Sequence, residues 1–140
     1  MAHDHPPLVI VEDSPEDVEA MRRTLARLGY DGPIEVAVDG DDAVATLGAL
    51  DQAPFGVVLD LNMPGVDGRD VLRWIRSHPT LSESRVVVLS TSRSPQDVAF
   101  CLENGADGYL VKPVGLDELR DKLARLLALF RDGTPLPIPY

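Results

Sequence analysis

A chain of 140 residues, 44% hydrophobic and 26% charged, fits one domain with an ordinary core and argues against disorder throughout. Its formal net charge of −10 argues against direct binding to nucleic acid or an anionic membrane, since both reward Lys and Arg, and suits a protein that binds cations or docks on a basic surface. The lone cysteine, Cys101, excludes an internal disulfide and a cysteine-based metal cluster, and no apolar run approaches the roughly 20 residues of a membrane span.

Residues 1–7 lack the basic and apolar regions of a signal peptide, so a disordered N-terminus and a cytoplasmic location are expected, with His3 and His5 disordered rather than metal-bound. Leu8–Val11 then opens a series in which short apolar runs alternate with helical patterns. Ser14 suits an N-cap, Pro15 the first helical position and Asp17 a capping acid. Val18, Met21, Leu25 and Leu28 form one stripe, which Gly29 ends. Ile34–Val38 is the second run, followed by a helix over about Asp41–Leu50. Gly56–Leu59 is the third, followed by a helix over about Gly68–Ser77 that Pro79 stops. After the fourth run, Val86–Leu89, a helix starts near Ser94-Pro95 and ends before Gly105. Val98, Cys101 and Leu102 form its inner stripe, and Phe100 points away. Gly108–Val111 is the fifth run, and Leu116, Leu119, Leu123, Leu126, Leu127 and Phe130 share one face of the last helix.

Continuous runs such as Val86-Val87-Val88-Leu89 suit strands covered on both faces. Five strands alternating with helices predict an α/β fold over residues 8–130: a doubly wound, flavodoxin-like parallel sheet in the order 2-1-3-4-5 with five flanking helices. Residues 131–140 form a Pro-rich apolar extension, because Thr134-Pro135-Leu136-Pro137-Ile138-Pro139 cannot be a helix interior.

Ligands of an open α/β sheet bind beyond the carboxyl ends of its strands. Glu12 and Asp13 follow the first strand, Asp60 the third, Ser90 and Thr91 the fourth, and Lys112-Pro113 the fifth. Three carboxylates this close repel one another, and a hard divalent ion with room for waters, Mg²⁺, relieves them. A carboxylate is also a nucleophile towards phosphorus, and phosphoryl transfer needs mainly positioning and charge neutralisation. Lys112 can neutralise phosphoryl oxygens as a point charge, and Ser90 can donate a hydrogen bond to one.

The segments Val11-Glu12-Asp13-Ser14, Leu59-Asp60-Leu61-Asn62-Met63-Pro64-Gly65, Val88-Leu89-Ser90-Thr91 and Gly108-Tyr109-Leu110-Val111-Lys112-Pro113 resemble, in this order and spacing, the receiver domain of bacterial two-component signalling. The resemblance implies that Asp60 accepts a phosphoryl group from a sensor histidine kinase. It implies that Glu12, Asp13, Asp60 and the backbone carbonyl of Asn62 hold Mg²⁺, and that Ser90 and Lys112 bind the phosphoryl group. Ser90, Thr91 and Tyr109 would form the switch, with Tyr109 reorienting on activation. The wording Leu61-Asn62-Met63-Pro64 and Leu89-Ser90-Thr91-Ser92, with the short extension, is also similar to small single-domain response regulators of phytochrome-type kinases. Asn62 and Ser92 flank the site and are expected to set how fast water removes the phosphate.

A haloacid-dehalogenase-type phosphohydrolase is disfavoured by the order of its acids, since that family places Asp-x-Asp after the first strand. A flavodoxin-like carrier is disfavoured because Glu12-Asp13 would repel a flavin phosphate. A receiver that never takes phosphate and serves as a binding module remains the alternative. No output domain is expected after the fifth helix, so the signal leaves by protein–protein contact. A homodimer is expected to use Phe100, Leu129, Leu136, Ile138 and Tyr140.

Overall fold

Apolar runs too short for helices become five strands: β1 Leu8–Val11, β2 Ile34–Ala37, β3 Gly56–Asp60, β4 Val86–Ser90 and β5 Gly108–Val111. The computed structural model describes residues 5–63 and 67–140; His3 and the Pro64-Gly65 pair lie outside the described residues. All strands pair in parallel, in the order β2-β1-β3-β4-β5. Helices α1 Pro15–Arg27, α2 Gly40–Gly48, α3 Gly68–Ser77, α4 Pro95–Glu103 and α5 Leu116–Asp132 fill the crossovers. This is the predicted flavodoxin-like architecture.

The two-residue period of a strand sorts the helices onto two faces. Leu8, Ile10, Val58, Val87, Leu89 and Leu110 pack with Met21 and Leu25 of α1 and with Leu123, Leu126 and Leu127 of α5. Val9, Val11, Val57, Leu59, Val86, Val88 and Tyr109 pack with α2, α3 and α4. Side-chain caps fix several helix starts: Ser14 accepts from the Asp17 amide, Asp39 from that of Asp42, and Asp67 from that of Arg69. At the amino end of the chain, His5 packs against the rings of Tyr30 and Phe55, 5.7 and 5.3 Å between centroids.

Three side chains depart from the stripes that helical periodicity predicts. Leu102 is 38% exposed, because α4 packs on β5 through Val98 and Cys101 and Leu102 overhangs that narrow contact. Leu116 is 65% exposed, since it is the first residue of α5 and projects past the sheet end. Leu129, outside the predicted stripe of the last helix and expected at a dimer surface, is buried. The reason is the extension, which folds back. Gly133, in a left-handed conformation at φ 79°, ends α5 and turns the chain. Leu136 then lies buried over Gly108, where a Cβ would come within 2.9 Å of the Leu136 Cδ1, with Leu129 beside it. At the end of the tail the Tyr140 amide donates to the Tyr109 carbonyl at 2.9 Å, and the Val111 amide donates to the Tyr140 carbonyl at 3.2 Å. The tail thus pairs with the open edge of β5, while Lys122 and Arg125 approach the face of the Tyr140 ring.

Docking of the tail predicts unequal roles for its two aliphatic anchors. Leu136→Ala should lower unfolding free energy by about 2–4 kcal/mol, whereas Ile138→Ala, at an exposed position, should cost under about 0.5 kcal/mol. Urea unfolding of both variants measures this, and equal small effects would show that the tail does not pack.

Candidate functional site

Strand register brings the candidate residues to one edge. Val11 pairs with Leu59, Leu59 with Val88, and Ser90 with Val111, so Glu12, Asp60, Ser90 and Lys112 emerge side by side. The sheet order reverses around β1, and the crevice opens where β1 and β3 end. Backbone bonds continue the register past the strands: the Glu12 amide donates to Ala37 at 2.9 Å and the Lys112 amide to Ser90 at 2.8 Å.

Glu12, Asp60 and Ser90 are each 1% exposed, while Asp13 faces solvent. Oxygens from Glu12, Asp13 and Asp60 lie within 4.8 Å of one another. The Lys112 Nζ sits among them, 3.1 Å from Glu12 Oε1, 3.2 Å from Asp60 Oδ2 and 3.4 Å from Asp17 Oδ2. Local bonds orient the acids: the Ser14 amide donates to Glu12 Oε2 at 3.1 Å, and the Asn62 amide to Asp60 Oδ1 at 2.9 Å. Gly68 lets the first turn of α3 press on the phosphoacceptor candidate, since a Cβ there would come within 2.7 Å of the Asp60 carbonyl oxygen.

Burial, reinforced by the charge of Asp60, pushes the Glu12 carboxyl up to about 7 despite the nearby ammonium. Burial alone would lower Lys112, but the hydrogen bond of Glu12 and the charges of Asp60 and Glu12 outweigh it and hold the ammonium above its usual range. One positive group therefore faces three acids. Glu12 Oε1 is buried, and the Lys112 ammonium 3.1 Å away is shared with Asp60 and Asp17. An oxygen-seeking divalent ion matches the surplus negative charge, so Glu12, Asp13 and Asp60 fit Mg²⁺.

Ser90 and Tyr109 meet at the loop after β4. The Ser92 amide donates to Ser90 Oγ at 3.1 Å, and the buried Tyr109 hydroxyl donates to the Ser92 carbonyl at 2.8 Å. Thr91 is exposed between them, and Asn62 is exposed near the acids. Phe100 does not point into open solvent as expected: it is half-buried against α3, with the Arg73 and Arg69 guanidinium carbons 4.8 and 5.8 Å from its ring centroid. Sequence spacing did not reveal the contact of Asp17 with Lys112, nor an Arg69–Asp97–Ser92 chain beside the site. An acid in the first turn of the helix after Glu12-Asp13 was the available hint for Asp17.

A sheet switch point carrying three acids and a lysine defines a receiver domain, and comparison with known families agrees. The response regulator receiver domain family matches residues 8–124, and the chain belongs to it. Response regulator MprA of Mycolicibacterium vanbaalenii is 38% identical over 128 residues, covering 91% of this chain and 52% of that protein. The chain thus spans about half the length of the curated relatives it matches. Among solved structures, the phosphorylated cyanobacterial phytochrome response regulator RcpA superposes with a TM-score of 0.83 at 31% identity, covering 95% of this chain and 99% of that one. Response regulator RPA3017, in red light signalling of R. palustris, gives 0.78 at 29% identity, covering 94% and 98%. Among the described residues, no helix is long and apolar enough to cross a membrane.

Raising the Glu12 pKa above its unfolded value near 4.5 makes the protonated form favour folding, a stabilisation present at low pH and lost as pH rises through about 7. Without divalent ions, stability should fall by roughly 1–3 kcal/mol between about pH 5 and pH 8 from this group. Lys112, held high, stays charged across that window. Thermal unfolding across the range should show the fall in wild type and a flatter profile in Glu12→Gln; identical profiles would contradict the raised carboxyl.

Proposed function

We propose that this receiver is a phosphoacceptor switch in which Asp60 takes a phosphoryl group from the phosphohistidine of a sensor histidine kinase, in a Mg²⁺-dependent reaction. The observation that carries the reading is the buried Asp60 carboxylate held 3.2 Å from Lys112 beside Glu12 and Asp13. An Asp60 oxygen attacks phosphorus, the N–P bond of the donor breaks, and the imidazole leaves as a neutral ring once protonated. Lys112 balances charge on the phosphoryl oxygens, and Ser90 donates a hydrogen bond to one of them. Glu12, Asp13, Asp60 and the Asn62 carbonyl are the groups that would hold Mg²⁺, which when bound supplies charge neutralisation at the transferring oxygens. The chain thereby takes part in its own phosphorylation and in the later hydrolysis, without turning over a separate substrate.

Movement of Ser90 towards the phosphate shifts Thr91 and the loop to Pro95, and Tyr109 follows through its bond to Ser92. The Ser92 hydroxyl is committed to Asp97, which leaves Asn62 as the side chain beside the acyl phosphate that influences attacking water. Val114 and Leu116, 86% and 65% exposed beside Lys112, offer the kinase an apolar rim. The likeness to RcpA and RPA3017 supports a phytochrome-type kinase and light as the stimulus, and the cytoplasm is the location this reading assigns. Signalling onward is by contact with a protein partner.

A homodimer remains part of this reading, with its surface redrawn. Leu129 and Leu136 are buried within the protomer, so the dimer contact falls to Ile138, Tyr140 and the outer edge of Phe100, or to tails exchanged between protomers. Light scattering on the protein lacking residues 134–140 should show loss of the dimer; a wild-type monomer would reject it.

Intact mass after incubation with acetyl phosphate and Mg²⁺ tests the main reaction. Wild type should gain one phosphoryl group, Asp60→Asn or chelator should abolish it, and Lys112→Ala should slow it at least about tenfold. A folded wild type that takes no phosphoryl group would leave a phosphate-independent binding module.

A further inference from the structure

The Lys112 ammonium carries three N–H donors, and it faces three carboxylates: Glu12 Oε1 at 3.1 Å, Asp60 Oδ2 at 3.2 Å and Asp17 Oδ2 at 3.4 Å. Glu12 and Asp60 follow or end strands and belong to the group that fits a divalent ion, whereas Asp17 lies outside that group. Asp17 stands in the first turn of α1, 95 positions from Lys112 in sequence. One capping turn sets it relative to the strand end. The Ser14 amide donates to Glu12 Oε2 at 3.1 Å, and the Ser14 hydroxyl accepts from the Asp17 amide at 3.2 Å. The Lys112 side chain is 22% exposed and lines a cavity of about 240 Å³ between α1 and α5, together with Met21, Leu110, Leu119 and Leu123. Those apolar side chains offer the ammonium no acceptor, and Asp17 stands with Ala20 on the α1 side of the same cavity.

We propose that Asp17 is a positioning residue that keeps the Lys112 ammonium at Asp60 while the strand-end acids are engaged in the reaction. The proposal rests on the reading of Asp60 and Lys112 given above. When an Asp60 oxygen bonds to phosphorus, the carboxylate becomes an acyl phosphate and Lys112 loses it as a charged partner. Glu12 is then committed to a divalent ion, whose charge repels an ammonium at close range. Lys112, on a flexible four-carbon stem, is free to extend towards solvent and away from the phosphoryl oxygens. Asp17 opposes this, because its carboxylate stays in reach of Nζ and has no other task at the site. A half-exposed ion pair adds little to folding stability, so the contribution is to where the ammonium sits and not to the fold. In this role Asp17 touches neither the phosphoryl group nor the ion, and acts through Lys112.

Phosphorylation by acetyl phosphate at saturating Mg²⁺ tests this. Asp17→Asn should slow acyl-phosphate formation by about threefold to tenfold, and Asp17→Glu, which keeps the charge, should recover at least about half of the wild-type rate. Glu16→Gln removes the neighbouring acid from the same helix turn and should stay within about 1.5-fold of wild type. Because Asp17 acts through Lys112, the Asp17→Asn, Lys112→Ala double variant should be no slower than Lys112→Ala. A second readout needs no phosphate: the NMR order parameter of the Lys112 side-chain nitrogen. In Asp17→Asn it should fall when Mg²⁺ is added and stay near wild type without it, since Glu12 and Asp60 then still hold the ammonium. An unchanged rate in Asp17→Asn, an equal loss in Glu16→Gln, a further loss in the double variant, or a wild-type order parameter with Mg²⁺ overturns the proposal. If wild type takes no phosphoryl group, the Asp60 reading fails by itself and the Lys112 order parameter decides on Asp17. A wild type that binds no Mg²⁺ overturns both.

Discussion

Two carboxylates buried against a single ammonium, Glu12 and Asp60 around Lys112, constrain the rest of this molecule. Desolvating such groups costs several kcal/mol each, and their mutual attraction seldom returns more than that. The cluster is therefore held by the fold and does not hold it. Parallel strands buried on both faces supply the rigidity, since Val11, Leu59, Val88 and Val111 fix the level at which each polar residue leaves the sheet. The surplus negative charge fits a divalent ion.

The same edge reports on the site. Ser90 ends β4 and Tyr109 lies in β5, and the loop containing Ser92 ties them together by one bond from each. The carboxyl edge of the sheet is thus joined to a buried aromatic on the outermost strand through two hydrogen bonds. The other side of that strand is covered by the backbone of Tyr140, with Leu136 packed below it. Tail and Tyr109 meet on β5, where the Tyr140 amide donates to the Tyr109 carbonyl. The tail also blunts an edge that would otherwise pair with a foreign strand.

Most of the site was legible in the sequence because topology forces it: residues following buried strands of a parallel sheet must meet at the carboxyl edge. Asp60, Glu12, Asp13, Ser90 and Lys112 all arrive there as the strand pattern required. What escaped was set by contacts distant in sequence. A helical wheel for α5 places Leu129 off the sheet-facing stripe, but cannot show a tail returning over Gly108 to bury it. Phe100 and Leu102 were misplaced for a related reason: α4 faces α3 as well as β5, and Arg69 and Arg73 cover the Phe100 ring. The Arg69–Asp97 pair joins two helices 28 positions apart, a separation at which no periodicity gives a signal.

In the reading proposed above, the three strand-end acids form one oxygen site for a divalent ion, with Asp60 both a ligand and the phosphoacceptor. Calorimetric titration of Mg²⁺ into the phosphate-free protein tests this most directly. Wild type should take one ion per chain, and Asp13→Asn should bind at least about tenfold more weakly with folding intact. A folded wild type without a binding heat under buffers of different ionisation enthalpy, or with equal affinity in Asp13→Asn, would contradict it.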